Sequence, residues 1–273
     1  MNRKNLLRRL RTLWAITPTI SITVILSLVG LCLVRRFAPE DVLRASNDVV
    51  GNYLQTLGTV YAVLLAFVVY VVWGEFNDAR LNVEREAQQL VDLFRTAKGF
   101  PEGARLHLQE HLRRYTDQVI TLEWRAMAHN DEAAIERIGG VLDEAWEGLK
   151  SFEPERHCHG SLFDEALAGF NDLCDLRVTR LTSARLRIPF AMRLLLYFGA
   201  VIVIGSMWLF YLQSFAVHAL LTGCMAGALS HVLYLIWDLD DCFDGDWRVS
   251  RAPFRRARRY MEERPEPGTT TPA

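Results

Sequence analysis

The chain has 273 residues, a formal net charge of −1 and 51% hydrophobic residues. This balance of charge argues against a nucleic-acid-binding protein, which needs a strongly basic surface, so we expect no nucleic-acid partner. The apolar residues are not spread evenly. Three long stretches contain no Asp, Glu, Lys or Arg, namely 12–34, 49–74 and 194–237.

The uncharged stretches are long enough to cross a membrane, because about 20 apolar residues span the hydrocarbon core as one helix. The first two, of 23 and 26 residues, each predict one span. The third has 44 residues and predicts two spans joined at the polar segment 212–214. We predict four spans, at about 12–34, 50–73, 189–211 and 216–237.

Basic residues gather on one side of the predicted spans. Lys and Arg are frequent in 1–11, 177–187 and 248–259, but the segment 35–49 has only three and 212–215 has none. Positive residues favour the cytosolic side of a span. We therefore expect a multi-pass protein of the bacterial inner membrane, embedded in the lipid bilayer, with both termini in the cytoplasm.

The chain divides along its length into a basic N-terminus, two spans, a polar insertion, two more spans and a tail. The bounds are 1–11, 12–74, 75–187, 188–237 and 238–273. The tail begins acidic and continues basic and partly disordered. Apolar residues in the insertion recur at helical intervals, without strand-like alternation. We predict an all-α, four-span transmembrane helical protein with a cytosolic helical domain inserted between spans 2 and 3.

The insertion is predicted to contain helices at about 102–129, 131–150 and 161–187. No strong breaker separates span 2 from the start of the insertion, and Gly99 followed by Pro101 is the first stop signal. We predict one continuous helix over about 52–97, roughly 65–70 Å long at 1.5 Å per residue. Such a helix would transmit cytosolic packing into the bilayer.

Polar residues inside the spans are candidates for function, because they are costly in lipid. Gln55, Thr56 and Thr59 place a polar stripe on the outer half of span 2, which either lines a water path in an oligomer or hydrogen-bonds within a monomer. Arg193 either snorkels to the cytosolic interface or lines a pore. His218, near the outer turn, is expected at the membrane interface, and His231 is expected to hydrogen-bond a neighbouring helix.

Enzyme signatures are absent from the sequence. It has no Gly-rich phosphate loop, no HExxH and no GxSxG motif, so we predict no catalytic function. The five cysteines include no CxxC pair, which argues against a disulfide framework. "HCH" at 157–159 lacks the second ligand pair of a zinc site, and we interpret it as a polar loop between helices.

Five aspartates follow the last span within nine residues: Asp238, Asp240, Asp241, Asp244 and Asp246. They do not match an EF-hand loop, which needs Glu at position 12, where this chain has Arg251. Carboxylates at a helix C-terminus repel its partial negative charge. Two explanations are open: a solvated helix end paired with Arg248 and Arg251, or a divalent cation bound by the carboxylate oxygens.

Two segments resemble the bacterial bestrophin-like domain family. They are "GTVYAVLLAFVVYVVWGEFNDARLNVEREAQQLVDLFRTAKGFP", which includes span 2, and "DLDDCFDGDWRVSRAPF", which ends span 4. The resemblance extends over about 12–260. The second segment departs from the family motif at Cys242, where proline is usual. The family is distantly similar to bestrophins, which are pentameric anion channels.

This resemblance implies a chloride-type anion channel, gated through the cytosolic domain and assembled as a homo-oligomer, with the pentamer as the expected form. It implies a pore lined by Gln55, Thr59, Val63 and Phe67. The narrow neck of the bestrophin pore carries bulkier apolar residues. In this chain, Val63 and Phe67 are the residues expected to form an apolar gate in their place. It also implies calcium at the five aspartates, with no other cofactor. The alternative is a non-conducting membrane scaffold or sensor whose cytosolic helices bind a partner.

Overall fold

The computed structural model describes residues 3–150 and 160–263, and their side chains from residue 16 onward. These residues form helices and turns without a strand, which confirms the all-α prediction. The segment 157–159 and the end of the tail lie outside the described residues.

Nine α-helices lie within the described ranges: α1 Arg3–Phe37, α2 Glu40–Thr96, α3 Glu102–Gln118, α4 Trp124–His129, α5 Glu132–Lys150, α6 Gly160–Arg185, α7 Phe190–Trp208, α8 Phe215–Asp240 and α9 Ala252–Glu262. A 3-10 turn, Ala97–Gly99, follows α2, and a π-helical segment, Val119–Glu123, joins α3 to α4. Four of the helices are long and apolar enough to cross a membrane: α1 from Ile16 onward, α2, α7 and α8. The four predicted spans are therefore confirmed.

The chain forms two compact units, which we call unit 1 and unit 2. Unit 1 contains 1–74 and 187–240, and unit 2 contains 75–186 and 241–273. Helix α2 contributes to both units without a break, as the continuous-helix prediction expects. It begins earlier than predicted, at Glu40, where Pro39 and two acidic residues in the first turn favour a helix start.

Close packing of α1 against α8 holds unit 1 together. Val24 lies against Gly223 and Gly227, and the Ser230 hydroxyl donates to Thr23 Oγ1 at 3.3 Å. Small residues let helices approach closely in a membrane, where packing and hydrogen bonds drive association. This contact fixes the register of the two helices.

Unit 2 is a helical bundle around one apolar core. Several of its helices contribute fully buried side chains, including Leu90, Phe94, Leu112, Tyr115, Leu173 and Phe254. Helix α9 was not predicted from the sequence, although Phe254, Ala257 and Met261 recur at helical spacing and are buried. The many arginines of this segment obscured that apolar stripe.

Candidate functional site

One face of α2 in unit 1 carries the four residues that the resemblance places in a pore. Gln55, Thr59, Val63 and Phe67 are all exposed, with 66% of Val63 and 60% of Phe67 accessible. A spacing of four residues rotates by only about 40° per step around an α-helix. The structure therefore brings these four residues onto one exposed face.

The opposite face of α2 is fixed by packing. Its buried residues recur every three or four positions: Tyr61, Leu65, Val68 and Val72. The Tyr61 hydroxyl donates to the Leu196 carbonyl oxygen at 2.6 Å, and its ring lies against Gly199 of α7. Val63 is two residues from both Tyr61 and Leu65, about 200° round the helix. The rotation of α2 is thus set, with Val63 directed away from the rest of unit 1.

The exposed face changes from polar to apolar along its length. The Thr59 hydroxyl donates to the Gln55 carbonyl oxygen at 2.7 Å, so its hydrogen-bonding need is met within the helix. Val63 and Phe67 then present apolar side chains on the next two turns. Apolar groups repeated around an axis form the type of constriction that closes a channel by dewetting.

Two of the five aspartates end α8 in unit 1. Asp238 and Asp240 are each only 7% exposed. Oδ1 of Asp240 accepts a hydrogen bond from the backbone N–H of Ile188 at 2.7 Å, just before α7 begins. The Asp240 carboxylate thus connects the end of one span helix to the entry of another.

The other three aspartates, Asp241, Asp244 and Asp246, lie in unit 2. Oδ1 of Asp241 accepts the N–H groups of Phe243 at 3.3 Å and of Asp244 at 3.1 Å, in the manner of an Asx turn. Gly245 has a φ of 82°, a conformation that favours glycine. Asp241 and Gly245 therefore shape the loop.

A metal site at these aspartates has no preformed geometry. Over 3–150 and 160–263, no group of three or more His, Cys, Asp or Glu side chains is arranged to hold a metal ion. Arg251, one of the two expected partners, donates to the Ile120 carbonyl oxygen at 2.9 Å. Calcium binding stays a prediction, while Asp240 and Asp241 have defined structural roles.

Arg193 lies in the first turn of α7. Its Nε donates to the Ile188 carbonyl oxygen at 3.0 Å, and its guanidinium lies 5.4 Å from the ring centroid of Trp237. Tryptophan is frequent at membrane interfaces and attracts cations over its ring. These contacts favour the interfacial interpretation of Arg193 over the pore-lining one.

The two span histidines have different environments. His218 is fully buried, and its Nε2 lies 2.8 Å from the Met207 carbonyl oxygen. His231 is exposed. The connection between α7 and α8 is short and brings His218 against the end of α7; the interfacial position of His218 and the hydrogen bond of His231 stay predictions.

A buried charge network in unit 2 was missed by the sequence analysis. Glu86 of α2, Glu123 of the π segment and Arg180 of α6 are 0% exposed. Arg180 donates to Glu86 Oε2 at 2.7 Å and to Glu123 Oε2 at 2.6 Å. Arg177 donates to Glu123 Oε1 at 2.6 Å, and the Tyr115 hydroxyl donates to Glu86 Oε1 at 2.7 Å. Four segments of the bundle are thereby joined.

The network is balanced in charge. Burial disfavours the charged guanidinium of Arg180, but the carboxylates of Glu86 and Glu123 outweigh this and hold its pKa well above the ordinary value. Burial, and then the Glu86 carboxylate, raise the pKa of Tyr115 well above its ordinary value. Arg180 is therefore charged and Tyr115 is a neutral donor at neutral pH.

The signal for this network is present in the sequence. Glu86 lies on the same helical stripe as Val83 and Leu90, and Arg180 lies on that of Leu173 and Ala184. Charged residues are almost never fully buried unless they are paired. A charge at a core position therefore indicates a partner, but one sequence does not show which residue it is.

Comparison with known proteins identifies similar chains. The sequence profile of the Bestrophin-like domain matches residues 21–254, and no functionally curated protein matches. Similar solved structures include a bacterial bestrophin homologue from Klebsiella pneumoniae, 13% identical, with a TM-score of 0.68 over 91% of this chain and 97% of that one. A single-substitution variant of it is 14% identical, with a TM-score of 0.68 over 90% and 99% of the two chains. Another is 13% identical, with a TM-score of 0.67 over 92% and 97%.

Proposed function

The chain belongs to the bestrophin-like family, and from this premise we propose that it is a homo-oligomeric anion channel whose pore is lined by α2. One observation carries the proposal: Gln55, Thr59, Val63 and Phe67 form an exposed face directly opposite the packed side of the helix. In a membrane, such a face meets lipid, another subunit or water. The side-chain amide of Gln55 favours water, because polar groups facing lipid are costly.

Further exposed apolar residues on α2 support assembly. Val60 and Val71 are 64% and 38% exposed, and they lie to one side of Val63 around the helix. Copies of α2 arranged around a pore would cover such flanking residues. The expected number of subunits, five, comes from the resemblance to bestrophins.

The order of polar and apolar groups suits an anion pathway. Gln55 offers amide N–H donors to an anion, and none of the four pore residues is a carboxylate. Val63 and Phe67 would then form the gate, since a ring of apolar side chains at a narrow point excludes water when it closes.

Gating is proposed to act through unit 2. Helix α2 is continuous from Glu40 to Thr96, so it contains both the pore face and Glu86. A shift of α6 that moves Arg180 pulls on Glu86 and hence on α2. From the distribution of positive charge, we place unit 2 and both termini in the cytoplasm of a bacterial inner-membrane protein.

Calcium at the aspartates is a separate proposal. Asp244 is exposed, and among the described residues its carboxylate accepts no hydrogen bond. It is therefore free to bind a cation. An Asp244→Asn variant should bind calcium more weakly than the wild type in an equilibrium titration, because it removes a charged oxygen ligand. Equal binding in both proteins would contradict a role for this residue.

Chloride efflux from liposomes tests the pore. Val63→Trp should reduce efflux to the level of empty liposomes, because every subunit would place a large side chain in the narrow part of the pore. The matched control is Val201→Trp on α7, where the valine is similarly exposed, at 65%. It should leave efflux unchanged.

The outcomes of this experiment separate the two function classes. Efflux that survives Val63→Trp contradicts the assignment of the pore to this face. A wild-type protein that assembles but passes no anion under any condition contradicts the channel, and it favours the scaffold or sensor alternative.

A further inference from the structure

A groove in unit 2 has no role in the proposed pore. It lies between α4 and the first turns of α5 and has a volume of about 750 Å³. Its lining includes Leu122, Arg125, His129, Ala134, Arg137 and Ile138, and we call it the α4–α5 groove. Sites for small molecules have volumes in this range.

Two arginines supply positive charge from opposite walls of the α4–α5 groove. Arg125 is on α4 and Arg137 is on α5, and both are exposed. Nε of Arg137 donates to the Ala133 carbonyl oxygen at 3.2 Å, which leaves its two Nη groups available. Within the described part of the chain, neither guanidinium is in an ion pair.

One carboxylate, that of Asp131, belongs to the groove lining. Oδ1 of Asp131 accepts the N–H of Ala134 at 3.0 Å and caps α5. Glu132 pairs with Arg185 at 3.4 Å, and Glu136 is not in the groove lining. Arg125 and Arg137 therefore outnumber the single carboxylate of Asp131 in the lining, and the groove keeps a net positive charge.

A third arginine of the groove, Arg114, is already neutralised. Its Nη1 donates to Glu144 Oε2 at 2.8 Å. The positive charge is thus concentrated at Arg125 and Arg137. A nucleic acid would instead require positive charge spread along a track. This concentration favours a compact anion.

Part of the groove lining is apolar. Leu122 is 55% exposed although it is a large aliphatic residue, and Ala126 and Ile138, which are mostly buried, also belong to the lining. Leu122 belongs to the π-helical segment, and such segments are frequent at functional sites. An inorganic anion would leave Leu122 uncovered, whereas a ligand with an apolar body would cover it.

We propose that the α4–α5 groove binds a small organic phosphate. Its phosphoryl oxygens lie between Arg125 and Arg137, and its apolar body covers Leu122 and Ile138. Guanidinium groups match phosphoryl oxygens with paired N–H donors. The groove gives unit 2 a ligand site separate from the aspartate loop.

Isothermal titration of the purified full-length protein tests this proposal, with inorganic phosphate and 1-naphthyl phosphate as probes at constant ionic strength. Naphthyl phosphate should bind saturably and more tightly than inorganic phosphate. Arg125→Gln and Arg137→Gln should each weaken it by about tenfold or more, as the loss of a hydrogen-bonded charge predicts. Leu122→Asn should weaken naphthyl phosphate but leave inorganic phosphate unchanged.

The matched control is Arg80→Gln, which removes an exposed arginine of unit 2 that lies outside the groove lining. It should bind both probes like the wild type. Absence of saturable binding, equal affinity for the two probes, or an equal loss in Arg80→Gln would each overturn the proposal. Because the titration detects binding without ion flux, its result is independent of whether the protein conducts.

Discussion

Arg180 shows how one side chain organises unit 2. It is fully buried and contacts two carboxylates on different segments, Glu86 and Glu123. Transfer of charges out of water costs several kcal/mol per ion, and only close pairing repays it. The planar guanidinium can donate to both acids at once, which a lysine ammonium could not do with the same geometry.

We expect Arg180→Met to destabilise the protein by about 3–5 kcal/mol, because it leaves Glu86 and Glu123 buried with only Arg177 to compensate. The measurement is chemical denaturation of the protein in detergent. Arg80→Met is the control, since Arg80 is exposed and should be close to neutral. Equal unfolding free energies for the two variants would contradict the assigned role of the network.

At the scale of elements, regular helices were predictable and their irregularities were not. The four spans and the helices of unit 2 follow from apolar periodicity and from stop signals such as Gly99 and Pro101. The π turn at Val119–Glu123 interrupts what was predicted as one helix over 102–129. The segment ends at Glu123, whose Oε2 lies 2.6 Å from Arg180, a long-range contact that the local sequence does not reveal.

The candidate site, too, was predictable from the sequence only in part. The four candidate pore residues were proposed through a family resemblance, and their spacing predicts one helical face; only the packing of Tyr61 against α7 shows that this face is exposed. The roles of Asp240 and Asp241 depend on backbone N–H groups that only the folded chain supplies. Composition could show that carboxylates cluster, but not what they bind.

Deletion of Thr121 tests the π turn. Removal of one residue from this segment would restore regular α-helical spacing but would rotate one flank by about 100°, withdrawing Glu123 from Arg180. We expect a marked loss of thermal stability. Thr121→Ala is the control, because it removes only the hydroxyl, which donates to the Asp117 carbonyl oxygen at 2.7 Å. A deletion variant as stable as Thr121→Ala would show that the π turn is dispensable.

At the scale of the whole molecule, α2 links two proposals: gating through unit 2 and a pore lined by α2 in unit 1. A single chain leaves one face of this helix uncovered throughout unit 1. We propose that this face lines a water-filled axis surrounded by copies of the same chain. The symmetry of such a ring follows from identical subunits that use the same interface.

A structure of the protein in lipid nanodiscs by single-particle electron microscopy tests this central claim most directly. We expect a ring of subunits, five by family resemblance, in which Val63 and Phe67 from every copy of α2 point at the symmetry axis. A monomer, or an oligomer in which Val63 faces lipid, would contradict it.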